Sequence, residues 1–136
     1  MGKYTDEELK AVGWFNGGYA LMISDLYDEA IEAYNQAINL DANVAGFYTM
    51  RGYCYSKIEK YKEALEDLNK AIELDPEDAQ NYSFRCAVFG IIGNQALAME
   101  NIKVAASMGD QKAQEILKRE GVSGEMIQDA FDALRN

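Results

Sequence analysis

The chain has 136 residues, 49% hydrophobic and 26% charged, with 23 Asp and Glu against 13 Lys and Arg, no histidine and a single proline. This is the size and make-up of one soluble folded domain that buries its own core, and a net charge of -10 opposes nucleic-acid phosphates and anionic lipid surfaces, so neither is expected as a partner. Without histidine there is no Ser-His-Asp arrangement and no His-based metal site, and two cysteines are too few for structural zinc or a disulfide framework.

The first ten residues, MGKYTDEELK, are more acidic than basic and lack the apolar stretch of a signal peptide. The longest clean apolar run, CAVFGIIG at 86–93, is far shorter than the roughly 20 residues of a membrane span. A reducing, cytoplasmic setting is expected, with Cys54 and Cys86 as small buried apolar residues. Thr5 followed by Glu8 forms a capping box, so the first helix should begin within residues 1–10 and carry acidic residues in its first turn. The glycines of GWFNGG fall inside that helix and make no phosphate loop.

Sliding the chain by 34 residues aligns three blocks without a gap, 11–44, 45–78 and 79–112. Trp14, Tyr48 and Tyr82 coincide, then Gly18, Gly52 and Cys86, then Leu21, Tyr55 and Phe89. In the second half of each block Ala30, Ala64 and Ala98 coincide, followed by Tyr34, Leu68 and Ile102, then Ala37, Ala71 and Ala105. Spacings of three and four put each set on one helical face. The small residues of the first helix let the second approach, giving antiparallel hairpins crossing at about 20°. Successive blocks end differently: Asp41 and Asn43 are expected to make the first turn by side-chain capping, Pro76 the second, and Gly109 with Asp110 the third. In 113–136, Ala113, Ile116 and Leu117 form the apolar face of a capping helix. Beyond Gly121, Ser123 is expected to cap a last amphipathic helix with Met126, Ile127, Ala130, Phe131 and Leu134 along one stripe.

The second block reads Tyr48-x2-Arg51-Gly52-x2-Tyr55, then Ala64-x3-Leu68-x2-Ala71 and Pro76, and so resembles the tetratricopeptide repeat family. It departs from the family pattern before the glycine, where Gly17, Arg51 and Arg85 replace the usual leucine, and at the closing proline, where Ala42 and Asp110 stand in the other blocks. The resemblance implies an all-α, right-handed solenoid superhelix of three helix-turn-helix repeats with one or two further C-terminal helices. It also implies a concave groove lined by Phe15, Asn16, Tyr19, Met22 and Ile23 from the first block, Thr49, Met50, Tyr53, Ser56 and Lys57 from the second, and Gln80, Ser83, Phe84, Ala87 and Ile91 from the third. Arg51 and Arg85 are expected to pair with Asp or Glu of neighbouring helices.

These readings point to a non-catalytic protein-interaction module without metal or cofactor. Its partner would be an apolar or basic peptide or helix held in the groove, and the chain itself a monomer or weak homodimer. Two other readings are a small acidic chaperone that shields apolar segments of secreted clients, and a self-assembly element. One subtype of the family grips the C-terminal carboxylate of heat-shock chaperones with Lys, Asn and Arg; the matching places here hold Phe15, Tyr19, Met50, Gln80 and Phe84, which form no such clamp.

Overall fold

The computed structural model describes residues 2–121; the expected last helix, with Met126 to Leu134, lies outside them. All secondary structure among the described residues is helical: α1 Asp6–Ile23, α2 Tyr27–Leu40, α3 Ala45–Lys57, α4 Tyr61–Leu74, α5 Ala79–Ile91, α6 Gln95–Ser107 and α7 Gln111–Arg119. The chain divides into two compact units, residues 1–74 with α1 to α4 and residues 75–136 with α5 to α7. In the first, α1 packs on α2, α2 on α3 and α3 on α4; in the second, α5 packs on α6 and α6 on α7.

Local chemistry sets the helix ends. The capping box is formed: the Thr5 amide donates to Glu8 Oε2 at 2.7 Å and the Glu8 amide to Thr5 Oγ1 at 3.1 Å. The turn inside each hairpin repeats one design, with residues 34 apart in the left-handed region: Asp25 at φ 62°, Glu59 at 64° and Gly93 at 89°. The next residue closes each turn, Leu26 N–H donating to Leu21 O, Lys60 to Tyr55 O and Asn94 to Phe89 O, all within 2.9 Å. Between hairpins, Asp41 Oδ1 accepts from the Asn43 amide and Asp75 Oδ1 from the Glu77 amide. An aspartate is therefore the shared device of the first two turns, with or without a proline after it. Asn43 contributes only its N–H, because α3 starts from Val44 with no side-chain cap. At the third turn Gly109 takes φ 97° and Asp110 Oδ1 accepts from the Ala113 amide at 2.8 Å.

Small residues admit the partner helix as their positions require. A Cβ on Gly18 would lie 2.7 Å from the Tyr34 ring, and one on Gly52 would lie 3.2 Å from both Ala64 O and Asp67 Cβ. Gly17, next to Gly18, has nothing within 4 Å of where its Cβ would be. Alanine substitution should consequently act in opposite directions at adjacent positions. Gly17→Ala is expected to stabilise by up to about 1 kcal/mol through helix propensity, and Gly18→Ala to destabilise by about 1–2 kcal/mol because Tyr34 is fully buried. Thermal melts of the two variants check this, and a shared sign would refute the close-contact account.

Trp14 does not follow its aligned partners: it is 48% exposed, whereas Tyr48 is 8% exposed. The reason is upstream. α3 begins three residues before Tyr48, and the preceding turn folds over the ring, with Tyr48 OH donating to Ala42 O at 2.8 Å. α1 runs straight through the eight residues before Trp14, so no turn covers the indole.

Arg51 makes a two-pronged pair with Asp67, Nε to Oδ2 at 2.8 Å and an NH2 nitrogen to Oδ1 at 2.7 Å, and donates to Asn35 Oδ1 at 2.9 Å. The equivalent Arg85 donates to Asn101 Oδ1 at 2.7 Å, and Asn101 in turn donates to Leu97 O, so a neutral amide answers the guanidinium at this place. Desolvation pulls the Arg85 pKa below its ordinary value, and the Tyr82 hydroxyl opposes that shift only in part.

Cys54 is fully buried in the core of residues 1–74 with Ala30, Ile31 and Tyr34, and burial pushes its thiol up to about 12. The Tyr34 phenol is raised too, chiefly by burial. Groups raised in the folded state contribute stability that is whole below their unfolded values, near 9 for a thiol, and lost as pH climbs through the folded values. The chain should therefore melt at progressively lower temperature above about pH 9, and Cys54→Ala should flatten that decline. A slope unchanged by the substitution would count against the assignment to Cys54.

Candidate interaction site

The fifteen residues expected to line a groove fall on both units, ten in residues 1–74 and five in residues 75–121. In the first unit two of them serve the interior. Phe15 places its ring 5.6 Å from that of Tyr34 and 5.2 Å from that of Phe47, joining α1, α2 and α3. Thr49 is buried and donates its hydroxyl to Ala45 O, one turn back in its own helix. Thr49 is thereby closed off, whereas Phe15 is only partly buried and keeps some surface in solvent.

Met22, Met50 and Tyr53 are partly buried against the cluster of Ala30, Ile31, Tyr34 and Cys54. Met22 Sδ accepts from Tyr34 OH at 3.8 Å. Each thus presents one side to the interior and the other to solvent. The Lys57 ammonium lies 5.3 Å from the centre of the Tyr53 ring, a cation-π contact on the surface. Asn16 and Tyr19 are exposed on α1. A separate hollow of about 330 Å³ sets Asp28, Glu29 and Glu32 opposite Tyr55 and Lys60, with Ile31 and Ile58 also in its wall.

In the second unit Gln80, Ser83, Phe84 and Ala87 converge on a single cleft of about 570 Å³. Spacings of three and four residues along α5 bring these four to one face. The opposite walls are Ile102 of α6 and Ala113 and Ile116 of α7, with Asp110 and Lys112 at the start of α7. Cys86 also borders the cleft; it occupies the position that is glycine in the two preceding hairpins, and its half-buried thiol is raised by burial. Asp110 is engaged as the N-cap of α7. Lys112 has no ion pair among the described residues.

The α6 and α7 walls lie outside the residues expected to line a groove. Of the apolar face expected on α7, Ala113 and Leu117 are buried against Ala105 and Ala106, whereas Ile116 stays exposed over the cleft. Among the described residues no group of His, Cys, Asp and Glu is placed to hold a metal ion, and no helix is long and apolar enough to cross a membrane.

No curated protein matches the sequence. Among solved structures the chain is similar to the second TPR of Spaghetti (RPAP3) bound to the HSP90 peptide SRMEEVD, at 26% identity and a TM-score of 0.70, over 72% of this chain and 91% of that one. It is also similar in fold to the second TPR domain of human RPAP3 in complex with the HSP70 peptide SGPTIEEVD, at 24% identity and a TM-score of 0.76, over 86% and 99% of the two chains. The TPR2B domain of yeast Sti1 in its complex with a pHsp70 peptide matches at 24% identity and 0.73, over 90% and 94%. The pattern described as tetratricopeptide repeat matches residues 11–44 and again residues 45–78, together half of the chain. With helix pairs at that period and the close glycine contacts at Gly18 and Gly52, the chain belongs to the tetratricopeptide repeat family.

Proposed function

We propose that the chain is a non-catalytic protein-interaction module that holds a peptide or helix of another protein. The observation that carries this reading is the cleft of residues 75–121, where an aromatic and aliphatic floor is combined with Gln80 and Ser83 for hydrogen bonding. Phe84 and Ile116 supply the apolar contact, and the amide and hydroxyl set the register of the guest. In residues 1–74 the guest-facing set is Phe15, Asn16, Tyr19, Met22, Met50, Tyr53 and Lys57; Thr49 drops out because it is buried. Peptide complexes of the RPAP3 and Sti1 domains support an interaction role. Free thiols at Cys54 and Cys86 are consistent with work in the cytoplasm.

The test is capture of the partner from source cells with the full chain, followed by titration of the identified segment against a Phe84→Ala, Ile116→Ala double variant. Binding should weaken about tenfold or more with the helical circular dichroism intact. Equal binding by the double variant would defeat the reading. SRMEEVD serves as the contrasting probe. It should bind poorly, because Gln80 and Phe84 stand where the resemblance calls for cationic clamp residues.

A further inference from the structure

We propose that the outward face of α1 pairs with the same face of a second copy of the chain, antiparallel about a two-fold axis passing through Asn16. The face is unusual in composition. From residue 11 to residue 24 the sequence AVGWFNGGYALMIS contains no Asp, Glu, Lys or Arg, although much of the helix is open to solvent. The exposed positions of α2 and α4 do carry charge, with Glu29, Glu32, Lys62, Glu66 and Glu73 among them. An exposed helix that is uncharged over most of its length lacks a cover.

The uncovered residues form one stripe. Leu9 is 56% exposed, Val12 49%, Tyr19 46% and Ile23 64%, and Gly13, Asn16 and Ala20 are exposed between them. Steps of three and four residues along 9, 12, 16, 19 and 23 keep them on one side of the helix. The stripe is also symmetric about its centre. In an antiparallel pairing a residue a given distance before Asn16 meets the residue the same distance after it in the other copy. Gly13 then faces Tyr19, Val12 faces Ala20, and Leu9 faces Ile23. The space beside Gly13, where nothing lies within 4 Å of an added Cβ, receives the ring of Tyr19. Asn16 meets Asn16, and two amides can exchange two hydrogen bonds, which satisfies both and fixes the register. This self-complementarity selects a second copy over an unrelated protein.

Charge decides the orientation. Asp6, Glu7 and Glu8 lie in the first turn of α1, and a parallel pair would bring two such clusters together. Antiparallel packing of an 18-residue helix holds them about 25 Å apart, beyond the screening length of about 8 Å at physiological salt. The pairing removes on the order of 1,000 Å² from water in total, at the small end for specific association, so the dimer is weak. Asn16 and Tyr19 also belong to the proposed guest-facing set, so self-pairing and guest contact on residues 1–74 exclude one another. The self-pairing stands without any guest and is tested without one.

Sedimentation equilibrium of the full chain between about 5 and 500 μM should show the mass rising from 15.2 kDa toward twice that value. Val12→Asp and Ile23→Asp should each weaken the association at least tenfold; both side chains are exposed, so the circular dichroism should not change. In a Cys86→Ser background, Asn16→Cys should oxidise readily to a disulfide dimer. Leu9→Cys should not link to itself but should link to Ile23→Cys when the two variants are mixed. A chain that remains monomeric at 500 μM, a dimer indifferent to both aspartates, or efficient self-linking by Leu9→Cys would each overturn the proposal.

Discussion

Tyr34→Ala is expected to lower the stability of the first unit by about 4 kcal/mol, in the range for removing a fully buried aromatic side chain. Tyr34 is completely buried, its ring sits where a Cβ on Gly18 would be, it meets the ring of Phe15, and its hydroxyl reaches Met22. Truncation leaves a cavity at the meeting point of α1, α2 and α3. The glycine that made room for the ring offers nothing to refill that space. Tyr34→Leu should cost less, about 1–2 kcal/mol, because the aligned position of the second hairpin already uses Leu68. Urea titrations of the three proteins provide the comparison. A loss below about 1 kcal/mol for the alanine variant would mean that the glycine and tyrosine are not a matched pair.

The second large effect is expected at Asp67. Its side chain is 6% exposed and holds Arg51 in a two-pronged pair. Asp67→Ala leaves the guanidinium with only Asn35 as a hydrogen-bond acceptor in this network, which is expected to cost about 3 kcal/mol, the low end for breaking a buried pair because Arg51 keeps some access to water. Replacing both residues, Arg51→Met with Asp67→Leu, should restore most of that loss, since the desolvation of two charges is then avoided. A double-mutant cycle reads the coupling directly. In the second unit Asn101→Ala should cost about half as much, because the bond lost there joins a cation to a neutral amide. Equal losses at Asp67 and Asn101 would contradict the charge-based account.

Tyr34 is a position that the 34-residue period marks, and Asp67 answers another, Arg51, yet the period alone does not say what happens at them. Aligned residues meet different surroundings. Arg51 finds a carboxylate and Arg85 an amide; Tyr48 is covered and Trp14 is not; Gly52 admits Ala64 and Asp67, whereas Cys86 borders an open cleft. The expected guest-facing residues divide in the same way. Gln80, Ser83, Phe84 and Ala87 share one cleft, while Thr49 turns inward and Phe15 is partly taken up by its contacts with Tyr34 and Phe47.

What the amino-acid sequence determined by itself is the helical class, the repeating hairpin, and the caps at Thr5 and Asp110. Capping and the matching of small to large side chains act over fewer than about five residues or across one hairpin, so their signals lie close together in the chain. Tertiary structure alone decided which side of each first helix is buried, which wall α7 adds to the cleft of the second unit, and that the outer face of α1 stays uncovered within the first. Burial depends on what lies opposite a residue, and for Phe15, Trp14 and Ile116 that neighbour is set by helix packing that no local pattern encodes.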